Sequence, residues 1–195
     1  MLADLHRFDW RRNLADWEEP RSLREEVERW DGILAKAPDT AWITAGRRVR
    51  ERLLAKLPNG DPVGLVHGDY QPGNALYEGV RLTGIIDWEL ASIGSQLLDL
   101  GWLMFMSDRA SWHEEWAPLM PPQTEMLRAV YEESMGRRFA DAVWYQAFAG
   151  YRLGAISCLN VRLHRTGRRP DEMWEKFALA VPAMFARAEA LLATL

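Results

Sequence analysis

The chain predicts a mainly α-helical α+β fold with small β-hairpins, in one domain spanning residues 1–195. Two observations carry that reading. Apolar residues recur at helical spacing, as in Leu23, Val27, Trp30 and Leu34, and in Trp174, Phe177, Ala178, Val181, Met184, Phe185, Ala188, Leu191 and Leu192; this is the period of a helix with one buried face. Extended patterns gather around one polar octapeptide, His67-Gly68-Asp69-Tyr70-Gln71-Pro72-Gly73-Asn74, between the apolar pieces Leu65-Val66 and Ala75-Leu76-Tyr77.

Taken in order, Ser22-Leu23-Arg24-Glu25 is a capping box that opens the first amphipathic helix. A second helix is expected from near Thr40 to Leu57, closed by Pro58-Asn59-Gly60. The octapeptide, rich in Gly and Pro, must be a tight loop between two strands, with Asp69 and Asn74 at its opposite ends. Glu78-Gly79 joins the second strand to another, Arg81 to Ile86, which delivers Asp87 at its end. Alternation along extended backbone puts Asp87 and Glu89 on one side and Trp88 on the other. Ala91 to Gln96 reads as a short loop. From Leu97 to Met106 the residues are apolar except Asp99, so this carboxylate is expected to be buried and to need donors. A helix near Ser111, one from about Gln123 to Met135 and long ones over Asp141–His164 and Asp171–Leu192 complete the chain, the last kinked at Pro182.

Composition narrows the function. With 195 residues, 48% of them hydrophobic, and ten Trp as core candidates, one sizeable core is expected. A net charge of −4 argues against a general nucleic-acid binder. No apolar run of ~18 residues suits a membrane span, and Asp4, Arg7, Asp9, Arg11 and Arg12 break any signal-like start, which points to the cytoplasm. Cys158 is alone, so no internal disulfide forms; a buried small hydrophobe is expected there.

The octapeptide and Ile85-Ile86-Asp87-Trp88-Glu89 together carry the parts of a phosphoryl-transfer site. Such a site needs a carboxylate for the attacking hydroxyl and oxygen ligands for Mg²⁺. H-G-D-x-x-x-x-N followed by I-D-W-E resembles the aminoglycoside phosphotransferase and choline kinase-like family, which shares its fold with the eukaryotic protein kinases. The resemblance implies a Mg²⁺-dependent kinase with ATP as phosphate donor and a small hydroxylated substrate as acceptor. It implies Asp69 as catalytic base, Asn74 and Asp87 as Mg²⁺ and nucleotide ligands, and Glu89 as an additional ligand. Gln71 takes the place of a phosphate-contacting Lys in the protein kinases. His67 supports the loop, and Asp99 organises it by accepting from its backbone.

The same resemblance places the chain as the C-terminal lobe of the kinase-like fold. Leu2-Ala3-Asp4-Leu5-His6 resembles the family's first helix after the lobe hinge, and no glycine-rich loop or strand Lys precedes it. A fragment, a truncated frame or a nucleotide lobe on another chain would each account for this, and Leu2, Leu5 and Phe8 are then candidates for the interlobe face. On the acceptor side, Arg152 lies amid apolar Tyr151, Leu153, Ala155 and Ile156, where burial would demand an anionic partner. Tyr145 and Trp144 suit either core or pocket wall. Charges here are mixed, with Asp108, Glu114, Glu115, Glu132 and Glu133 beside Arg162, Arg165, Arg168 and Arg169. The opening helix and Tyr151-Arg152-Leu153 look most like the kinase domain attached to certain acyl-CoA dehydrogenases. Two other readings are a pseudokinase-like binding module, favoured by the missing lobe, and a structural interaction domain, which gives no reason to keep Asp69, Asn74 and Asp87.

Overall fold

A computed structural model describes residues 1–60, 62–115 and 117–195. It is mainly helical with two small antiparallel sheets, as the periodicities predict. The helices are α1 Leu2–His6, α2 Trp10–Asn13, α3 Leu23–Glu28, α4 Asp31–Leu34, α5 Thr40–Ala55, α6 Leu97–Ser107, α7 Thr124–Met135, α8 Ala142–Arg165 and α9 Met173–Leu192. The strands are β1 Val63–Val66, β2 Ala75–Glu78, β3 Arg81–Ile85 and β4 Ser92–Ser95.

Local chemistry sets the helix starts. Ser22 accepts from the Glu25 N–H and the Glu25 carboxylate accepts from the Ser22 N–H, forming the predicted capping box. Asp39 caps α5 through the Ala41 N–H at 2.8 Å. The first amphipathic stretch is two short helices rather than one, yet Val27, Trp30 and Leu34 all face the core. The expected helix near Ser111 is a single 3-10 turn, Arg109–Ser111. Pro182 does not interrupt α9.

Helix α8 runs through the centre, with 16 of its 24 residues buried, and packs chiefly against α9 and α6. The α6 contact is backbone-close. A Cβ on Gly101 would stand 2.3 Å from the Tyr145 carbonyl carbon, so only glycine lets the two helices approach this far. Trp30, Trp102 and Trp144 are core residues, whereas Trp17 and Trp88 are exposed; the tryptophans are a partial guide to the core. Leu2 is buried and Leu5 packs on the core, so α1 turns inward, and only Phe8 of the three interlobe candidates is exposed.

The two sheets flank the 67–74 loop. β2 and β3 form the predicted hairpin, with a bulge between Leu76 and Tyr77 and Gly79 at φ 60° in its turn. β1 pairs antiparallel with β4, Leu65 opposite Ile93. Ser92–Ser95, read from sequence as loop, is a strand because β1 on one side and the 18–21 segment on the other satisfy its backbone: Ile93 N–H donates to Glu18, and Ile93 C=O accepts from Arg21. Among the described residues no helix is long and apolar enough to cross a membrane.

Candidate active site

The loop between β1 and β2 is held from beneath by Asp99. This residue, on the first turn of α6, is fully buried, and its Oδ2 accepts from the His67 N–H at 2.7 Å while Oδ1 accepts from the Gly68 N–H at 2.8 Å. The expectation of a buried Asp satisfied by loop backbone is met. Gly68 adopts φ 85°, and a Cβ there would lie 2.3 Å from the Leu90 carbonyl oxygen, so the loop also leans directly on the following segment.

His67 ties the loop to the hairpin. Its Nδ1 accepts from the Asp69 N–H at 3.2 Å, so Nε2 carries the proton and donates to the Ile86 carbonyl at 3.0 Å. The Trp88 ring packs on the imidazole at 4.5 Å between centroids, and the Trp88 indole N–H donates to the Ile85 carbonyl. His67 is fully buried.

Asp69 is half-buried and densely solvated by protein donors. Gln71 Nε2 donates to Oδ1 and Oδ2 at 2.9 and 3.0 Å, Asn74 Nδ2 donates to Oδ2 at 2.8 Å and to the Asp69 carbonyl at 2.9 Å, and Trp102 Nε1 donates to Oδ1 at 2.7 Å. With its nitrogen so engaged, the Asn74 amide presents Oδ1, which has no hydrogen-bond partner among the described residues. The Ile86 N–H donates to the Asn74 carbonyl at 2.9 Å, which brings the next residue, Asp87, alongside the loop.

Asp87 departs from the expected geometry. Its φ of 68° is left-handed, found among the described residues only here outside glycine, so β3 ends at Ile85 and the extended alternation that would set Glu89 beside Asp87 does not apply. Asp87 and Glu89 are both exposed, and the Asp87 carboxylate makes no hydrogen bond or ion pair among the described residues. Oxygen donors are the ligand type Mg²⁺ prefers, and the Asn74 amide oxygen and the Asp87 carboxylate are both of that type.

Three contributors escaped the sequence reading. Trp102 lies three residues after Asp99, on the same helix face, which is the signal that could have found it. His6 is buried between two partners: Nε2 donates to Asp99 Oδ2 at 3.3 Å and Nδ1 accepts from the Tyr131 hydroxyl at 2.7 Å. Burial, and next the Asp99 charge, raises the Tyr131 phenol above its usual range, so it stays a donor. Glu26, also buried, takes Arg21, Arg29 and the Trp30 indole N–H.

A groove of about 410 Å³ opens beside Gln71, Pro72 and Gly73, walled by Met106, Ser107 and Pro118–Pro122. Two acids of this region are engaged internally, whereas Glu114, Glu115 and Glu133 are exposed. Asp108 accepts from Arg187 at 2.7 Å and Gln146 at 3.0 Å, and Glu132 from Arg128 and the Phe139 N–H. Tyr145 is fully enclosed in the core against Trp144, its hydroxyl accepting from Ser95, so it presents no surface to a ligand. Arg152 is buried, but no acid pairs with it among the described residues; its guanidinium lies over the rings of Trp30 and Trp102.

Comparison with known proteins agrees with this geometry. The model of the phosphotransferase enzyme family (APH) matches residues 1–134, and the chain belongs to that family. It is 32% identical over 106 residues to acyl-CoA dehydrogenase family member 11 of Gallus gallus, covering 52% of this chain and 14% of that protein. Over 56 residues it is 38% identical to a probable acyl-CoA dehydrogenase, IBR3, of Arabidopsis thaliana, covering 28% of this chain and 7% of that one. Among solved structures, one from Ralstonia eutropha JMP134 named for aminoglycoside phosphotransferase superposes with TM-score 0.80 at 21% identity, covering 97% of this chain and 62% of that one. A choline/ethanolamine kinase family protein from Mesorhizobium loti gives 0.62 at 19%, covering 97% and 59%. These two show the fold. The chain thus spans a small part of the curated relatives and about three fifths of the solved neighbours.

Proposed function

We propose that the chain is the catalytic and acceptor-binding part of a small-molecule O-phosphotransferase, moving the γ-phosphate of ATP to a hydroxyl. The observation that carries this is Asp69, a half-buried carboxylate fixed by Trp102 and by the Asn74 amide, whose Oδ1 has no partner among the described residues. Asp69 is the base toward the acceptor hydroxyl. A carboxylate offers about four lone-pair sites, and Gln71 Nε2 takes two of the four contacts made here. The incoming hydroxyl replaces Gln71, while Trp102 and Asn74 keep the carboxylate aimed.

Asn74 Oδ1 and Asp87 would hold Mg²⁺, with Glu89 at the exposed rim of the same loop. Bound there, the cation neutralises charge on the transferring phosphate. His67 and Asp99 keep the loop in register, so that proton acceptor and metal ligands stay fixed relative to one another. The groove beside Gln71 has no charged side chain among its described lining residues, which favours a small metabolite over a polycationic sugar.

The test is acceptor-dependent ADP release from ATP and Mg²⁺ over a panel of hydroxylated compounds, with the chain alone and with a glycine-rich, lysine-bearing nucleotide segment supplied. Release by the supplemented chain, lost in Asp69→Asn, is expected. Saturable Mg²⁺–nucleotide binding with no acceptor giving release would overturn the proposal in favour of a binding module without transfer.

A further inference from the structure

Arg152 is a buried charge that the site as described does not use. It is 4% exposed, and among the described residues it forms no ion pair and its Nε has no hydrogen-bond partner. Its guanidinium carbon lies 4.8 Å from the Trp102 ring centroid and 5.1 Å from that of Trp30. Removing an ion from water is costly, and two cation–π contacts offset only part of that cost. The acid with the largest influence on it is Glu26, whose oxygens already serve Arg21, Arg29 and Trp30. Burial, the dominant influence, lowers the Arg152 pKa, as expected of a cation lacking a close anion.

The position gives that charge a purpose. Indole rings cover the faces of a planar guanidinium and leave its N–H edge to seek acceptors. Trp102 is the same indole that donates to Asp69 at 2.7 Å, so the proposed base meets the N–H edge of the ring whose face carries the cation. An anion meeting this edge would complete the charge balance in a poorly screened setting, where such pairing is strong.

We propose that Arg152, flanked by Trp30 and Trp102, binds an anionic group, a carboxylate or phosphate, carried by the acceptor whose hydroxyl is presented to Asp69. This rests on the phosphotransferase reading for its direction and makes the acceptor a hydroxylated acid or phosphate ester. Such an arrangement also repels polycationic acceptors, in keeping with the lack of acids among the described residues lining the groove.

The test needs no turnover. The Arg152 Nε–H signal in ¹H–¹⁵N spectra of the 195-residue protein is followed during titration with 3-hydroxybutyrate and glycerol 3-phosphate, with neutral 1,3-butanediol and glycerol, and with Mg²⁺–ADP. A saturable shift with at least one hydroxylated anion and none with the neutral compounds is expected, with affinity lowered about tenfold or more in Arg152→Gln, or about 1.4 kcal/mol. No response to either anion, or undiminished affinity in Arg152→Gln, would overturn it. A response confined to Mg²⁺–ADP would assign the anion to the nucleotide and overturn the acceptor assignment. Should Arg152→Gln fail to fold, the wild-type titration decides. Because no phosphoryl transfer is read, anion binding without ADP release in the earlier assay would refute the transferase reading alone.

Discussion

Replacing Asp99 by alanine removes the acceptor for two buried loop amides at once, the N–H groups of His67 and Gly68, bound at 2.7 and 2.8 Å. Hydrogen bonds to a charged partner contribute roughly 1.5–3 kcal/mol each, and the donors left behind have no water to turn to, so the expected loss is about 3–5 kcal/mol. Against a total of roughly 5–15 kcal/mol for a domain, that is a large share. In a chain of this length it corresponds to a fall in Tm of about 6–20 °C. Asp99→Asn keeps one acceptor oxygen but turns an NH₂ toward the other N–H, and should lose less. The assay is hydrogen exchange with mass spectrometry over residues 67–74 alongside thermal unfolding. Asp99→Ala should release the His67 and Gly68 amides in particular while α9 retains its protection. Unchanged exchange at these two amides, with Tm held within about 2 °C, would refute the claim that Asp99 organises the loop.

Other perturbations probe neighbouring steps. Gly68→Ala meets both a positive φ and the Leu90 carbonyl at 2.3 Å; a destabilisation above about 1 kcal/mol, read by urea unfolding, is expected, and a neutral result would mean that the loop does not lean on Leu90. Gln71→Ala frees two lone-pair sites on Asp69 and should lower the acceptor KM by up to about fivefold, as one ~1 kcal/mol hydrogen bond no longer competes; a raised KM would show that Gln71 contacts substrate instead. Cys158 is fully buried, and burial pushes its thiol up to about 12. An unfolded thiol titrates near ~8.5. A raised folded value means that this contribution to stability is complete below the unfolded value and is lost as pH rises toward 12, so Cys158→Ala should flatten the alkaline fall in stability. Identical alkaline profiles for wild type and variant would contradict it, as would native-state labelling of the thiol by iodoacetamide.

Much of the site was legible because its parts are local. The H-G-D loop, its flanking strands and the buried Asp99 are each encoded within a short window, and the capping box at Ser22 and the Asp39 cap fix helix starts by contacts two or three residues away. What was not legible depends on partners distant in sequence. Ser92–Ser95 has little intrinsic strand preference and becomes a strand only because β1 and the 18–21 segment bond its two edges. Burial of Arg152 was raised from sequence only as a condition that would demand an acid; it is buried, and aromatic faces from α6 and the turn before α4 take the acid's place. His6 reaches Asp99 from 93 residues away, a contact that no spacing announces, whereas Trp102 reaches Asp69 from 33 residues away and only its place one helical turn after Asp99 hints at the contact. The left-handed turn at Asp87 broke an alternation argument that holds only while backbone stays extended.

The central claim, that Asp69 takes the proton of the acceptor hydroxyl, is tested most directly by comparing wild type and Asp69→Asn with a nucleotide segment supplied, measuring acceptor-dependent kcat and Mg²⁺–ADP affinity in the same preparations. General-base catalysis contributes about 10²–10⁴-fold, so kcat should fall by that order while Mg²⁺–ADP affinity, carried by Asn74 and Asp87, stays within about twofold, or ~0.4 kcal/mol. An Asp69→Asn variant that transfers phosphate at the wild-type kcat would contradict the account.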